Sequence, residues 1–421
     1  MGRRYFGTDG VRGVVGESLT ADLVERLGRA AAFWIDGGKV FVGRDTRASG
    51  PELEAAFARG VLSGGGSVVL GGVLPTPAVA LAALDLGIVI SASHNPPEYN
   101  GVKFFDAGGR KLTDESEEQI EALLDASPTG GRGAITHAEG AAEAYVERVL
   151  ADSGSDLSGL RIAVDCANGA YSEIASRVFE RLGAEVQALG DNPDGTNINV
   201  GCGATDTAAL AEAVTSGGFD LGIAFDGDGD RMLAVDENGA LVDGDQIVAI
   251  LALDLGVELV AVTEMTNLGF HALMREHGIR VVTTDVGDRY VLEALGREGG
   301  VLGGEQSGHL IYLRDHVTGD GLVAALLLCA ALRGRKLSEA AGIMKRYPQS
   351  KVNVPVASKE LTPALRTAVE RVNDELAETG RVLVRPSGTE PLIRVLVEAE
   401  DESVAEEACG RIAALVKTEL G

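Results

Sequence analysis

The stretch "FDGDGDR", Phe225 to Arg231, sets Asp226, Asp228 and Asp230 at alternate positions after the apolar run "LGIAF". In an extended segment alternate side chains share a face, so three carboxylates would converge on one point. A hard divalent cation, Mg²⁺ or Ca²⁺, is what oxygen ligands of this kind hold. An EF-hand loop opening at Asp226 would bring Glu237 to its twelfth position. Arg231, however, stands where that loop needs glycine, and the flanks "LGIAF" and "MLAVDE" read as strands. A solvated acidic hairpin turn is the plain alternative. The second stretch is "SASHNP", Ser91 to Pro96, which follows the apolar run "LGIVI". Ser93 is outside a G-x-S-x-G elbow. His94, next to it in an extended segment, would point away and make a poor base. Either the stretch is a capping turn, or Ser93 carries a phosphoryl group beside a metal and basic residues.

Three further stretches carry polar chemistry. In "RPSGTEP", Arg385 to Pro391, a turn between strands can aim N–H groups and hydroxyls at an oxyanion. Arg385 and Arg394 add charge-assisted contacts suited to phosphate, although an ordinary glycine hairpin fits the same letters. "GGEQSGH" sets Glu305, Ser307 and His309 among glycines. Carboxylate and hydroxyl suit sugar hydroxyls, and a loop histidine can move protons; a flexible loop is the other reading. "FGTDGVRG" puts Arg12 after an Asp-Gly turn and, taken alone, reads as a surface hairpin.

These residues need a scaffold. The 421-residue chain carries 37 Lys and Arg against 63 Asp and Glu, a net charge of −26. Such a surface repels nucleic acid and anionic membrane, so an anionic substrate requires a local basic cluster. The longest apolar run, Leu322 to Leu332, is too short to span a bilayer and predicts a buried helix. Cys166, Cys202, Cys329 and Cys409 form no C-x-x-C pair and no disulfide framework, and "MGRRYFGTDG" has no apolar h-region, so a reducing cytoplasm is expected. Neither a Walker A sequence nor a strand-G-x-G-x-x-G-helix fingerprint occurs. Strand, helix and strand recur three times, at "KVFVGRDTR" to "SVVLGG", "RIAVDCANGA" to "AEVQALG", and "ELVAVTEMTNLG" to "IRVVTTDVG". That repetition predicts three related α/β domains with mixed, largely parallel sheets. "RVLVRPSGTEPLIRVLVEAE" and a helix from about Glu402 to Leu420 predict a smaller C-terminal α+β domain.

In this order, "FGTDGVRG", "SASHNP", "NGVKFF", "DGDGDR", "VGDRYV", "GGEQSGH" and "RPSGTEP" resemble the α-D-phosphohexomutases over nearly the whole chain. "GTDGVRG" and "GEQSGH" look like the branch of that family acting on glucosamine phosphate. The resemblance implies domains at 1–138 with a phosphoserine loop, 139–243 with a metal loop, 244–350 with a sugar loop and 351–421 with a phosphate loop. It implies Ser93 as phosphoserine, completing with Asp226, Asp228 and Asp230 the shell of Mg²⁺. Arg12 and Lys103 would flank the transferring group, with Lys103 and His309 as acid/base candidates. Arg231, Glu305 and Ser307 would contact the sugar phosphate, and Arg385, Ser387, Gly388, Thr389 and Arg394 the non-reacting phosphate. The implied reaction interconverts glucosamine 6-phosphate and glucosamine 1-phosphate, primed by glucosamine 1,6-bisphosphate or glucose 1,6-bisphosphate, toward UDP-N-acetylglucosamine. The implied partner is a small sugar phosphate, with no nucleic acid or membrane; a homodimer is compatible with it. Glucose or mannose phosphates as substrate, a metal phosphatase and a non-catalytic sugar-phosphate sensor stay as rivals. Two stretches depart from the family pattern: "GCGATD" with Asp206, where a histidine is implied, and "TEMTN" with Glu264.

Overall fold

Three of the runs expected to be strands are buried on both faces: every residue of Leu86–Ile90, Leu221–Phe225 and Leu259–Thr263 is inaccessible or nearly so. Continuous apolar runs of this kind belong to sheets covered by helices on each side. The computed structural model describes residues 4–7, 9–128, 130–131, 133–314, 316–387 and 391–421, with backbone alone at 378.

The first sheet contains β1 (Val11–Val14), β2 (Lys39–Arg44), β3 (Ser67–Val73), β4 (Leu86–Ile90), β5 (Tyr99–Asp106) and β6 (Ile135–His137), in the order β1-β5-β4-β2-β3-β6. The second contains β7 (Arg161–Asp165), β8 (Glu185–Leu189), β9 (Leu221–Phe225), β10 (Met232–Asp236) and β11 (Leu241–Val242), in the order β11-β10-β9-β7-β8. The third is β13-β12-β14-β15, from β12 (Leu259–Thr263), β13 (Arg280–Thr284), β14 (Leu302–Gly304) and β15 (Leu310–Tyr312). In each, parallel pairing at the centre passes to antiparallel pairing toward one edge. The serine, aspartate and histidine stretches all lie in the turns that make this switch: between β4 and β5, β9 and β10, and β14 and β15. A fourth sheet, β16-β18-β17, is antiparallel throughout and joins β16 (Gln349–Pro355), β17 (Gly380–Pro386) and β18 (Leu392–Ala399).

Helices supply the cover. Ala21–Trp34 and Gly50–Ser63 approach so closely that a Cβ on Gly28 would lie 2.2 Å from the Phe57 carbonyl oxygen, and one on Gly60 2.0 Å from that of Glu25. Only glycine permits that contact. Gly321–Leu332 is the expected apolar helix, buried almost all round. The expected C-terminal helix spans Glu402–Leu420. All four cysteines are buried and unpaired. Among the described residues no helix is long and apolar enough to cross a membrane.

The chain divides into two units, one reaching to Met265 and resuming over Ile279–Ile343, the other joining Thr266–Gly278 to Met344–Gly421. Within the second, Asn267 exchanges two hydrogen bonds of 2.9 Å with the Tyr347 backbone, and Arg381 donates to the Thr266 carbonyl at 2.5 Å. Within the first, Arg289, 6% exposed, donates to Glu117 at 2.8 Å and pairs with Asp114. Removing one partner from a buried pair costs about 3–5 kcal/mol, because the other charge stays buried. Arg289→Ala is therefore expected to lower the urea midpoint of this unit. Trp34, the one tryptophan, bonds Gln119 on the same helix as Glu117 and reports the transition by fluorescence. An unchanged midpoint would show that the pair contributes nothing.

Candidate active site

β4 delivers the chain into the Ser91–Pro96 turn, and β5 carries it back antiparallel. Ser93 is 1% exposed and adopts φ of 52°, the left-handed region that residues with a Cβ seldom occupy. Its Oγ donates to Asp226 Oδ2 at 2.5 Å. The extended geometry expected for this segment is thus corrected, and with it the position of His94, whose Nδ1 lies 3.4 Å from Ser93 Oγ. His94 is still a weak base, for another reason: burial first, then the Arg231 and Arg12 charges, lower it to about 4.

The aspartates also converge by a route other than the expected one. They occupy a turn between β9 and β10, with Gly229 at φ of 76° and the Tyr171 ring 2.4 Å from where its Cβ would stand. One oxygen from each of Asp226, Asp228 and Asp230 lies within 4.8 Å of the others. Asp226 Oδ1 accepts the backbone N–H groups of Gly229 and Arg231 at 3.1 and 3.2 Å. Asp228 Oδ2 accepts Thr76 Oγ1 and Lys103 Nζ, both at 2.6 Å, and Asp230 Oδ2 accepts Lys103 Nζ at 2.8 Å. Burial, then its two neighbouring carboxylates, hold Asp226 well above the usual carboxylate range. Burial works against Asp230 too, but Lys103 and His309 outweigh it and hold that group well below the range. Asp228 Oδ1 is buried without a hydrogen-bond partner. An all-oxygen donor set with an unpartnered buried carboxylate oxygen fits a hard divalent cation. The EF-hand alternative does not fit: strands flank the turn, and Glu237 bonds Ser338.

Around the triad runs a ring of alternating charge within the first unit. Arg12, on β1 rather than on a surface hairpin, is half-buried, pairs with Asp9 and donates to Asn95 Oδ1 at 3.2 Å. Asp9 also takes Lys103 at 3.1 Å and pairs with Lys111, which pairs in turn with Asp288. Asp288 Oδ2 is 3.2 Å from His309 Nε2, and the other ring nitrogen is 3.6 Å from Asp230. Burial lowers the His309 imidazole, but Asp288 and Asp230 reverse this and raise it above its ordinary value. Arg231 is likewise raised, with Asp230, Asp226 and Glu305 outweighing burial. Glu305, 8% exposed, accepts the Gly287 N–H at 3.1 Å and the Ser307 hydroxyl at 3.4 Å. Asp9, Thr76, Lys111 and Asp288 are site residues not anticipated from the sequence. Asp9 stands in "FGTDGVRG" and Asp288 in "VGDRYV", each a single carboxylate with no spacing to mark it, and Thr76 and Lys111 carry no local pattern.

In the second unit, Arg385 of β17 and Arg394 of β18 face each other across the hairpin. Like charges directly opposite repel, an arrangement suited to an anion between them. Arg394 Nη2 is 3.5 Å from Ser387 Oγ, and Lys359, unmarked in the sequence, donates to the Ser387 carbonyl at 2.7 Å. Gly388 and Thr389 lie outside the described residues.

A buried serine bonded to a metal-fitting aspartate triad, at the switch turns of three mixed α/β sheets, is an arrangement suited to metal-assisted phosphoryl transfer. The phosphoglucomutase/phosphomannomutase alpha/beta/alpha domains I, II and III match residues 3–129, 143–239 and 243–347, and the C-terminal domain of that family matches 352–415. The chain belongs to the phosphoglucomutase/phosphomannomutase family. Within it, the chain is 50% identical to the phosphoglucosamine mutase of Pelotomaculum thermopropionicum, covering 98% of each, and 50% identical to that of Symbiobacterium thermophilum, covering 99% of each. Its fold is similar to the crystal structure of a phosphoglucomutase/phosphomannomutase family protein from Burkholderia thailandensis, with a TM-score of 0.84 at 26% identity over 98% of both chains.

Proposed function

We propose that this enzyme interconverts glucosamine 6-phosphate and glucosamine 1-phosphate by way of a phosphorylated Ser93. The observation that carries the chemistry is the Ser93 hydroxyl held 2.5 Å from Asp226 of the triad. The amino-sugar substrate is supported by half identity, over nearly the whole length, to phosphoglucosamine mutases.

Asp226, Asp228 and Asp230 would hold Mg²⁺, which when bound would supply charge stabilisation to the phosphoryl oxygens. Ser93 Oγ gives its phosphoryl group to the sugar O1, forming the 1,6-bisphosphate. The serine oxygen regains a proton as the sugar hydroxyl loses one. After the intermediate turns end for end, Ser93 Oγ takes the group from O6 and leaves the 1-phosphate. Lys103 and Arg12 supply positive charge beside the transferring group, and Lys103 and His309 are the candidates to move the protons. Glu305 and Ser307 hold sugar hydroxyls, with Arg231 on phosphate or sugar. Arg385, Ser387, Gly388, Thr389 and Arg394 hold the phosphate that does not react. A trace of glucosamine or glucose 1,6-bisphosphate keeps Ser93 charged. The substrate's chemistry and the unpaired cysteines suit the cytoplasm.

Glucosamine differs from glucose at C2, where it carries an ammonium near neutral pH. A hydrogen bond to a charged group is worth about 1.5–3 kcal/mol, so kcat/KM for glucosamine 6-phosphate is expected to exceed that for glucose 6-phosphate by about 10- to 100-fold. Parallel assays with glucosamine, glucose and mannose 6-phosphates check this. Equal or better efficiency with glucose or mannose would refute the amino-sugar assignment and leave the mutase chemistry in place.

A further inference from the structure

Behind the serine turn lies an arginine with no exposed surface. Arg47, just past β2, donates from Nε to Asp45 Oδ2 at 2.9 Å. Its other side-chain donors all end on carbonyls of one short segment. Nη2 reaches Ser93 and Asn95 at 2.9 and 2.8 Å, and Nη1 reaches Tyr99 at 3.0 Å and Pro96. Every N–H of the guanidinium fork therefore has an acceptor. Asp45, also fully buried, takes the Ser91 hydroxyl at 2.5 Å, and Ser91 Oγ in turn accepts the Ser93 N–H at 2.9 Å. Ser93 is thus gripped at its carbonyl by Arg47 and at its N–H by the Asp45–Ser91 relay. Asn199 adds a second bond to the same carbonyl at 2.9 Å.

A buried ion pair is a weak source of stability, since well-packed apolar residues often do as well. This one is shaped for something an apolar cluster cannot do, which is to bond four carbonyls of one short segment, from Ser93 to Tyr99, at once. Ser93, so gripped, has its backbone in the left-handed region, a conformation that persists only where its surroundings over-determine it. We propose that Arg47, with Asp45 and Ser91, is the positioning device that holds the Ser93 backbone left-handed and so aims its hydroxyl at Asp226. The proposal rests on Ser93 being the phosphoryl carrier. Arg47 bonds the serine turn from behind and is a positioning residue, not a catalytic one.

The test uses the full chain with Mg²⁺ and catalytic sugar bisphosphate, and the variants Arg47→Lys, Ser91→Ala and Ser91→Thr. Lysine keeps the charge but loses the fork. A misplacement of about 1 Å costs on the order of 10²-fold in rate, so Arg47→Lys is expected to lower kcat about that much. KM for glucosamine 6-phosphate should stay within about twofold, since ground-state binding is untouched. Ser91→Ala should lose about 10-fold in kcat, a smaller geometric effect of the same kind, and Ser91→Thr, which keeps the hydroxyl, should restore it. Backbone hydrogen exchange over residues 91–99 should rise in Arg47→Lys and Ser91→Ala and stay unchanged elsewhere. Wild-type kcat in folded Arg47→Lys would overturn the proposal, and so would exchange rising across the whole first unit. If Arg47→Lys does not fold, Ser91→Ala decides: wild-type kcat with unaltered exchange at 91–99 refutes the device. A wild-type enzyme carrying no phosphate on Ser93 would instead sink the functional reading, while the exchange data still judge the positioning.

Discussion

Ser93→Ala is expected to lower kcat by about 10⁴-fold or more, the scale on which losing a nucleophile falls. That is roughly 5.5 kcal/mol of transition-state stabilisation. The expectation follows from geometry: Ser93 Oγ lies against the triad, at 2.5 Å from Asp226. His94, the other group beside it, is lowered to about 4 and stays neutral and weakly basic near neutral pH. The variant should fold normally, because the turn is held through backbone groups that alanine retains. A coupled assay of glucosamine 1-phosphate formation measures the loss. Retention of more than about a tenth of wild-type kcat would mean that another group carries the phosphoryl, since a lost nucleophile is not replaced that well.

Asp228→Asn should lower kcat by about 10²- to 10³-fold, or roughly 3–4 kcal/mol, as removal of a preorganised electrostatic group does. Asp228 stands at the centre of the triad's hydrogen bonding. One oxygen meets Thr76 and Lys103, and the other is buried and unpartnered. Converting it to an amide removes a charge where a divalent ion would sit and leaves Lys103 with Asp230 and Asp9 as its remaining carboxylate partners. Titration calorimetry with Mg²⁺ should show weakened binding in the variant, apart from any assay of turnover. Excess EDTA should silence the wild-type enzyme. Ca²⁺ should not restore full activity, because its looser geometry places oxygens less strictly. Full turnover in EDTA would remove the metal from the mechanism.

Much of the architecture was legible because its elements are written locally. β4, β9 and β12 are short apolar runs closed by polar turns, and Gly321–Leu332 is apolar at every period. The site was legible where one turn carries several reactive groups, as at Asp226–Asp230 and Glu305–His309. It was illegible where the partners come from distant segments. Thr76 lies 152 residues from Asp228 and Lys103 125 residues from it, and no spacing rule anticipates such a meeting. Lys111 and Asp288 are brought together only by tertiary packing. The conformations of the site turns were misjudged for a related reason. Alternating aspartates and a serine at a strand end both suggest extended backbone, whereas Ser93 is left-handed and the aspartates sit on a tight turn opened by Gly229. In both cases the side chains converge, but long-range contacts and not strand periodicity bring them there.

The most direct test of the account is where the phosphoryl group resides during turnover. The purified enzyme, charged with glucose 1,6-bisphosphate and Mg²⁺, is digested and its peptides sequenced by mass spectrometry before and after a pulse of glucosamine 6-phosphate. One phosphoryl group is expected, on Ser93, which leaves the protein on addition of the sugar phosphate and appears as glucosamine 1,6-bisphosphate. A phosphoryl group on any other residue, or turnover by an enzyme whose Ser93 is never phosphorylated, would contradict it.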